Sequence, residues 1–332
     1  MSYTETLVIE TQQIKISNHL IELGIDNIRQ EIIQGFLSKQ KYISSKFFYD
    51  KKGSELFEDI TRLPEYYPTR TEKSILKKIA PELMNQISNK DIVELGSGDC
   101  SKISILLNSI PEQNLESINY IPVDVSLSAI QGSAEVLSEL YPKLLINGFV
   151  ADFMNQLNTI PDNKERLFLF LGSTIGNFTE EEVSKFLAEL SSKMNPGDSF
   201  LLGVDLVKPL LFLHNAYNDS QNTTADFNKN ILNVVNSIID SDFDPDDFKH
   251  KAFFNKEKSR IEMHLVAKRD LIITSPFFNS EIQLKEGEDI HTENSYKFSY
   301  EQIKKFEKIT ELTIKEIYTD ANNWYALVLF HK

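Results

Sequence analysis

Three stretches place glycines or carboxylates where a nucleotide could be held. Glu94-Leu95-Gly96-Ser97-Gly98 follows the apolar run Asp91 to Leu95. Glycines directly after a strand let the backbone approach a ligand at the carboxyl edge of a sheet. Asp124 ends a second apolar run, "NYIPVD", about thirty residues on. At that distance a carboxylate accepts from ribose hydroxyls in nucleotide-binding α/β folds. Asp152-Phe153 ends a third run, where the carboxylate can accept from an adenine amino group and the ring can pack on the base. A dinucleotide fingerprint would place a third glycine at position 101, which is Ser101 here, and no Walker-type phosphate loop is present. With no pyrophosphate to cradle, an adenosine-bearing sulfonium fits this set better than a nicotinamide dinucleotide.

A second group of residues suits an amino acid. Glu293 and Ser295 are two apart in a segment of period two, so they share one strand face. A carboxylate beside a hydroxyl can hold both nitrogens of an imidazole, although so polar a segment ("HTENSYKF") equally suits a solvated edge strand. Asn177 follows a fourth apolar run, "LFLFL". Its amide can donate to a carboxylate while its carbonyl accepts from an amine, or it can simply close a tight loop. The six histidines form no paired spacing with Cys or acidic residues, so no metal is expected. Cys100 has no identifiable base partner, so nucleophilic catalysis is not expected either.

The elements that carry these residues can be read from periodicity. A loose tail is expected over residues 1–17, then a helix from about Asn18 to Gln40, and then an aromatic, proline-broken segment from Phe47 to Arg70. Helix follows from about Thr71 to Ile87, with Pro81 a break or restart. From Lys90 to about Val204 strand, turn and helix alternate, which predicts a parallel sheet covered on both faces. Thr179 with Glu182 makes a capping box there. The rhythm stops at Lys208. A helical stretch to Asp240 follows, then antiparallel strands from Phe253 to Phe298, before helix, strand and strand close the chain.

The prediction is an α/β fold: a parallel-sheet domain over residues 70–207 and 297–332, interrupted by an α+β domain built from residues 18–69 and 208–296. A small substrate is expected in a cleft between the two bodies. With 332 residues, each domain can own a core. A net charge of −14 without a cationic stripe argues against a nucleic-acid partner. No run is long enough to cross a bilayer, and the N-terminus does not have the pattern of a signal peptide. A single cysteine suits a reducing compartment, so the expected location is cytoplasmic.

Taken in order, "KFFYDKKGSELFEDITRLPEYYPTR", "VELGSG", "PVDVS", "LGSTIGNFT", "GDSFLLGVDLV", "AYND", "FNKNIL", "DFDPDDFKH", "IEMHL" and "TENSYKF" closely resemble the histidine-specific α-N-methyltransferases of ergothioneine biosynthesis, over roughly residues 40–330. The resemblance implies a class I (Rossmann-like) methyltransferase domain with an inserted substrate-binding domain. It also implies S-adenosyl-L-methionine as methyl donor and three-fold methylation of L-histidine to hercynine, partly methylated histidines being accepted on the way. Related members act on tryptophan derivatives, which makes another aromatic amino acid the alternative substrate. The cofactor contacts implied are Gly96, Lys102, Asp124, Asp152 and Phe153. For the substrate carboxylate and amine they are Tyr49, Tyr66, Gly172, Asn177 and Tyr217. Glu293 and Ser295 would meet the imidazole, with Phe57, Thr224 and Met263 around it. Tyr49 and Asn177 would orient the amine for transfer. The chain departs from the family pattern at Asp99-Cys100-Ser101, at Asn218 and at Tyr296.

Overall fold

The computed structural model describes residues 6–20, 24–86, 89–278 and 281–332. Fourteen strands occur in them: β1 Thr6–Glu10, β2 Ile14–Asn18, β3 Asp91–Leu95, β4 Asn119–Asp124, β5 Leu145–Val150, β6 Arg166–Phe170, β7 Ser199–Asp205, β8 Phe248–Asn255, β9 Arg260–Ala267, β10 Leu271–Ile273, β11 Ile282–Leu284, β12 Asp289–Tyr296, β13 Thr313–Thr319 and β14 Tyr325–His331. The chain divides into two compact units, one of residues 1–21, 70–206 and 298–332, the other of residues 22–69 and 207–297.

The first unit is built on a nine-stranded sheet of order β1-β2-β5-β4-β3-β6-β7-β14-β13. Strands β2, β5, β4, β3, β6 and β7 run parallel, while β1, β14 and β13 pair antiparallel. The central strands are apolar along their whole length because helices cover both faces: β6 and β7 have every residue buried. The helix Glu180–Lys193 starts at the expected capping box of Thr179 and Glu182 and buries Val183, Phe186, Leu187 and Leu190. Strand order reverses between β3 and β6, and loops at such a switch point form the ligand crevice of open α/β sheets.

The N-terminal expectation fails. Residues 6–17 are not a loose tail: β1 and β2 form a hairpin, and β2 pairs parallel with β5. Ile16 is fully buried and packs in the main core. The alternation Ile14-Lys15-Ile16-Ser17 carried the signal, but a five-residue strand is stable only once β5 offers it a free edge. Residues 1–5 lie outside the described residues. The first helix runs over Ile25–Leu37, starting later than expected, since Asn18 ends β2. Pro81 breaks nothing either. One helix spans Tyr67–Gln86 with this proline inside it. The proline removes one donor and leaves the carbonyl of Lys77 without its helical partner, which is tolerable because Lys77 is exposed.

In the second unit the antiparallel sheet β12-β9-β8 lies against the helix Thr223–Ile239. Phe227, Ile231, Leu232, Val235 and Ile239 are the apolar face of that helix. A two-stranded ribbon, β10 with β11, completes the unit together with the helices Ile25–Leu37, Lys51–Arg62 and Leu210–Tyr217.

Candidate active site

In the first unit the expected cofactor residues gather at the carboxyl edge of the parallel strands. Gly96 and Gly98 both adopt left-handed backbone, φ +68° and +49°, which residues with a Cβ take only under strain. A Cβ built on Gly96 would lie 3.7 Å from Phe153 Cε1, in ordinary contact, so the glycine turn and the aromatic ring are neighbours. Asp124, at the end of β4, accepts from the amides of Ser126 (2.9 Å) and Gly98 (3.3 Å), which tie it to the glycine loop. Burial raises its carboxyl above the ordinary range, against those hydrogen bonds. Asp152 accepts from the Met154 amide at 2.9 Å and Asn155 Nδ2 at 2.7 Å. Phe153 is held edge-on against Phe170 and Phe186. A glycine turn, a carboxylate bonded to that turn and a clamped ring suit an adenosine-bearing group.

Lys102, Gly172 and a residue that sequence reading missed, Glu72, form one constellation around a buried carboxylate. Glu72 is fully buried and pairs with Lys102 Nζ at 2.8 Å. Its carboxylate accepts the Gly172 amide at 2.8 and 3.0 Å and the Tyr325 hydroxyl at 2.7 Å. Gly172 has φ +84°, and a Cβ there would sit 3.0 Å from Lys102 Nζ. Gly203 makes room for the carboxylate: a Cβ at that position would collide with Glu72 and approach the Tyr325 hydroxyl to 2.7 Å. An acidic residue in the helical run "TEKSIL" reads as a solvated face, and only the strand neighbours reveal its role. Asn177 ends the short helical turn Thr174–Asn177, half-buried, just beyond β6.

In the second unit the expected substrate residues converge on one face of β12. Glu293 and Ser295 are both buried and lie opposite Met263 and Ile261 of β9, after a bulge that follows His291. This decides against a solvated edge. Burial pushes the Glu293 carboxyl up to about 7, opposed by the charge of Lys297. The hydroxyl of Tyr217, at the end of its helix, donates to Ser295 Oγ at 2.7 Å. Tyr217, expected at the substrate carboxylate, is thereby joined to Ser295, expected at the imidazole. Lys297, which sequence reading missed, is 1% exposed and donates to Ser295 Oγ at 2.7 Å and to the Tyr217 hydroxyl at 3.2 Å.

An aromatic wall completes this group. Phe57 packs edge-on against Tyr49 (5.7 Å between centroids) and Tyr66 (6.2 Å), with Phe227 at 5.8 Å, while Tyr66 meets Tyr217 at 6.3 Å. Tyr49 keeps 45% of its surface exposed. Enclosure of its hydroxyl, with Glu293 and Tyr217 nearby, nevertheless raises its pKa well above that of a free phenol, so it remains a neutral hydroxyl at working pH. Met263 is buried on β9 beside Glu293, and Thr224 is buried in the first turn of the helix Thr223–Ile239, its amide donating to Asp219 at 2.8 Å.

Two of the family departures, Tyr296 and Asn218, fall to the side of this face, and the third, Asp99-Cys100-Ser101, continues the glycine loop of the first unit. Tyr296 alternates away from Ser295, and its hydroxyl accepts from Arg260 at 2.8 Å. Asn218 Nδ2 donates to the carbonyls of His214 (2.9 Å) and Ala252 (3.2 Å), a structural role. Among the described residues no group of three or more His, Cys, Asp or Glu is placed to hold a metal ion, and no helix is long and apolar enough to cross a membrane.

Comparison with known proteins gives the same direction. Residues 28–332 match the family model described as histidine-specific methyltransferase, SAM-dependent. The chain is 40% identical over 287 residues to the histidine N-alpha-methyltransferase of Mycobacterium tuberculosis (strain CDC 1551 / Oshkosh), covering 86% of this chain and 89% of that protein. It is 38% identical over 291 residues to the protein of the same name from Mycolicibacterium smegmatis, covering 87% and 90%. Ergothioneine biosynthesis protein 1 of Schizosaccharomyces pombe is 29% identical over 274 residues, 79% of this chain and 35% of that protein. This chain therefore belongs to the family of S-adenosylmethionine-dependent, histidine-specific methyltransferases.

Proposed function

We propose that this protein transfers methyl groups from S-adenosyl-L-methionine to the α-amino group of L-histidine, three in succession, giving hercynine for ergothioneine biosynthesis. The observation that carries the reading is the buried Glu293–Ser295 pair on β12, a carboxylate acceptor and a hydroxyl two residues apart on one face. An indole has a single N–H and little use for a buried charged acceptor, so the tryptophan alternative is disfavoured.

The sulfonium supplies an already activated methyl group. The residues of this chain have to hold, align and exclude water. Gly96, Asp124, Asp152 and Phe153 would hold the adenosine, and Lys102, fixed by Glu72, the carboxylate end. Glu293 and Ser295 take the imidazole. Tyr66, Gly172, Asn177 and Tyr217 are the candidates for the substrate carboxylate. An ammonium has no lone pair, but an α-amine titrates at about 8, so no strong base is required. Tyr49 is the candidate to orient the amine through its phenol oxygen and help it lose its proton. Asn177 would present its amide carbonyl to the same amine. Methylation leaves the carboxylate and imidazole anchors intact, so a partly methylated product can be presented again.

Glu293→Ala should lose at least ten-fold in kcat/KM for histidine, since an unpaired buried imidazole N–H costs about 1–3 kcal/mol. Cofactor affinity by calorimetry should stay within about two-fold. Wild-type turnover in this variant, or a wild-type enzyme that prefers tryptophan, would defeat the assignment.

A further inference from the structure

Ser295 sits between two donors. Lys297 Nζ reaches its Oγ at 2.7 Å, and the Tyr217 hydroxyl donates to the same oxygen at 2.7 Å. A serine hydroxyl has two acceptor sites and one proton. An ammonium can only donate. Both lone pairs of Ser295 are therefore taken, and its own hydrogen must point elsewhere. Glu293, the residue two before on the same face, offers only acceptor oxygens when ionised. With Glu293 ionised, the face thus presents one acceptor and one donor. Burial makes that polarity costly to violate: Ser295 is 6% exposed, Lys297 1% and Tyr217 6%.

We infer that Lys297 is a positioning residue that fixes Ser295 as a hydrogen-bond donor, and thereby makes the site select a neutral ring with one N–H and one acceptor nitrogen. The inference rests on histidine being the substrate at this face. A neutral imidazole in a single tautomer satisfies both groups. An imidazolium carries two N–H groups, so one of them meets the Ser295 proton, with the positive charge of Lys297 close by. A pyrrole ring keeps one N–H and replaces the other nitrogen by carbon, leaving the Ser295 hydrogen without an acceptor. Neither the charge pattern nor the one-residue step beyond the strand end marks Lys297 in the sequence; its burial and its bonds to Ser295 and Tyr217 do.

The test compares histidine with the two pyrrolylalanines, which keep one ring N–H at either position. The readout is the ratio of kcat/KM for histidine to that for the better pyrrolylalanine. Wild type should favour histidine by about 10- to 100-fold, the cost of leaving one buried donor without an acceptor. Ser295→Ala should cut that ratio about ten-fold. Lys297→Met should cut it to a similar extent, and the double variant should fall no further, because Lys297 acts through Ser295. A merely structural lysine would lower both activities together and leave the ratio unchanged, and that result overturns the inference. Should Lys297→Met fail to fold, an unchanged ratio in Ser295→Ala overturns it equally. A wild-type enzyme that does not methylate histidine would remove the underlying functional reading, a failure distinguishable from an unchanged ratio in an active enzyme.

Discussion

Asp124 is the residue tied most directly to the glycine loop, and the one proposed to hold the ribose. It accepts the Gly98 amide, so it both shapes the loop and has lone pairs left for ribose hydroxyls. Asp124→Ala should weaken S-adenosylmethionine binding by about 1–3 kcal/mol with the fold retained, as read by calorimetry and circular dichroism. Undiminished affinity would remove the ribose role. Glu293 makes a pH-dependent prediction. Its carboxyl is raised to about 7 in the folded protein from an ordinary value of 4.5. Between those values the folded state binds the extra proton, so stability falls as pH rises through this window, and the penalty is complete above 7. Glu293→Gln removes the penalty. It should gain about 1–3 kcal/mol over wild type on going from pH 4.5 to 8 without substrate, in urea titrations at each pH. A difference that does not change with pH would mean that Glu293 is not held in the raised state. At this scale the sequence was legible where geometry is local: Gly96, Asp124 and the Glu293–Ser295 spacing follow from strand ends and strand period. Glu72 and Lys297 were not, because a charged residue in a helix or at a strand end reads as solvated until its buried partners are known.

At the scale of elements, the parallel strands and their helices were readable because each strand is a continuous apolar run and each helix shows one apolar face. The hairpin of β1 and β2 was not, since its strands are short and only half apolar and depend on an edge donated more than a hundred residues away. Pro81 misled for a similar reason: an exposed carbonyl tolerates the lost hydrogen bond, and exposure is not visible in one-dimensional sequence. The Glu72 constellation ties the helix Tyr67–Gln86 to β7, β14 and the loop after β6. Gly203→Ala should push the carboxylate out of this place. The expected result is a loss of about 1–3 kcal/mol in stability, typical of overpacking, together with weaker cofactor binding because Lys102 loses its fixed partner. Differential scanning calorimetry and cofactor titration read both effects. A variant unchanged in both would show that Glu72 is not held by close packing.

At the scale of the whole molecule, one sequence carries two sets of chemistry. The first unit holds the glycine turn, Asp124 and the Phe153 ring, and the second holds Glu293, Ser295 and the aromatic wall. Methyl transfer to an amine draws on both sets, since donor and acceptor must be held at once. Mass spectrometry of the products formed from methyl-labelled S-adenosylmethionine and a mixture of the proteinogenic amino acids tests the central claim most directly. The expected result is histidine as the substrate consumed, with three labelled methyl groups on its α-nitrogen at saturating cofactor. Label on a ring nitrogen, a product that stops at one methyl group, or preferential labelling of tryptophan would contradict it.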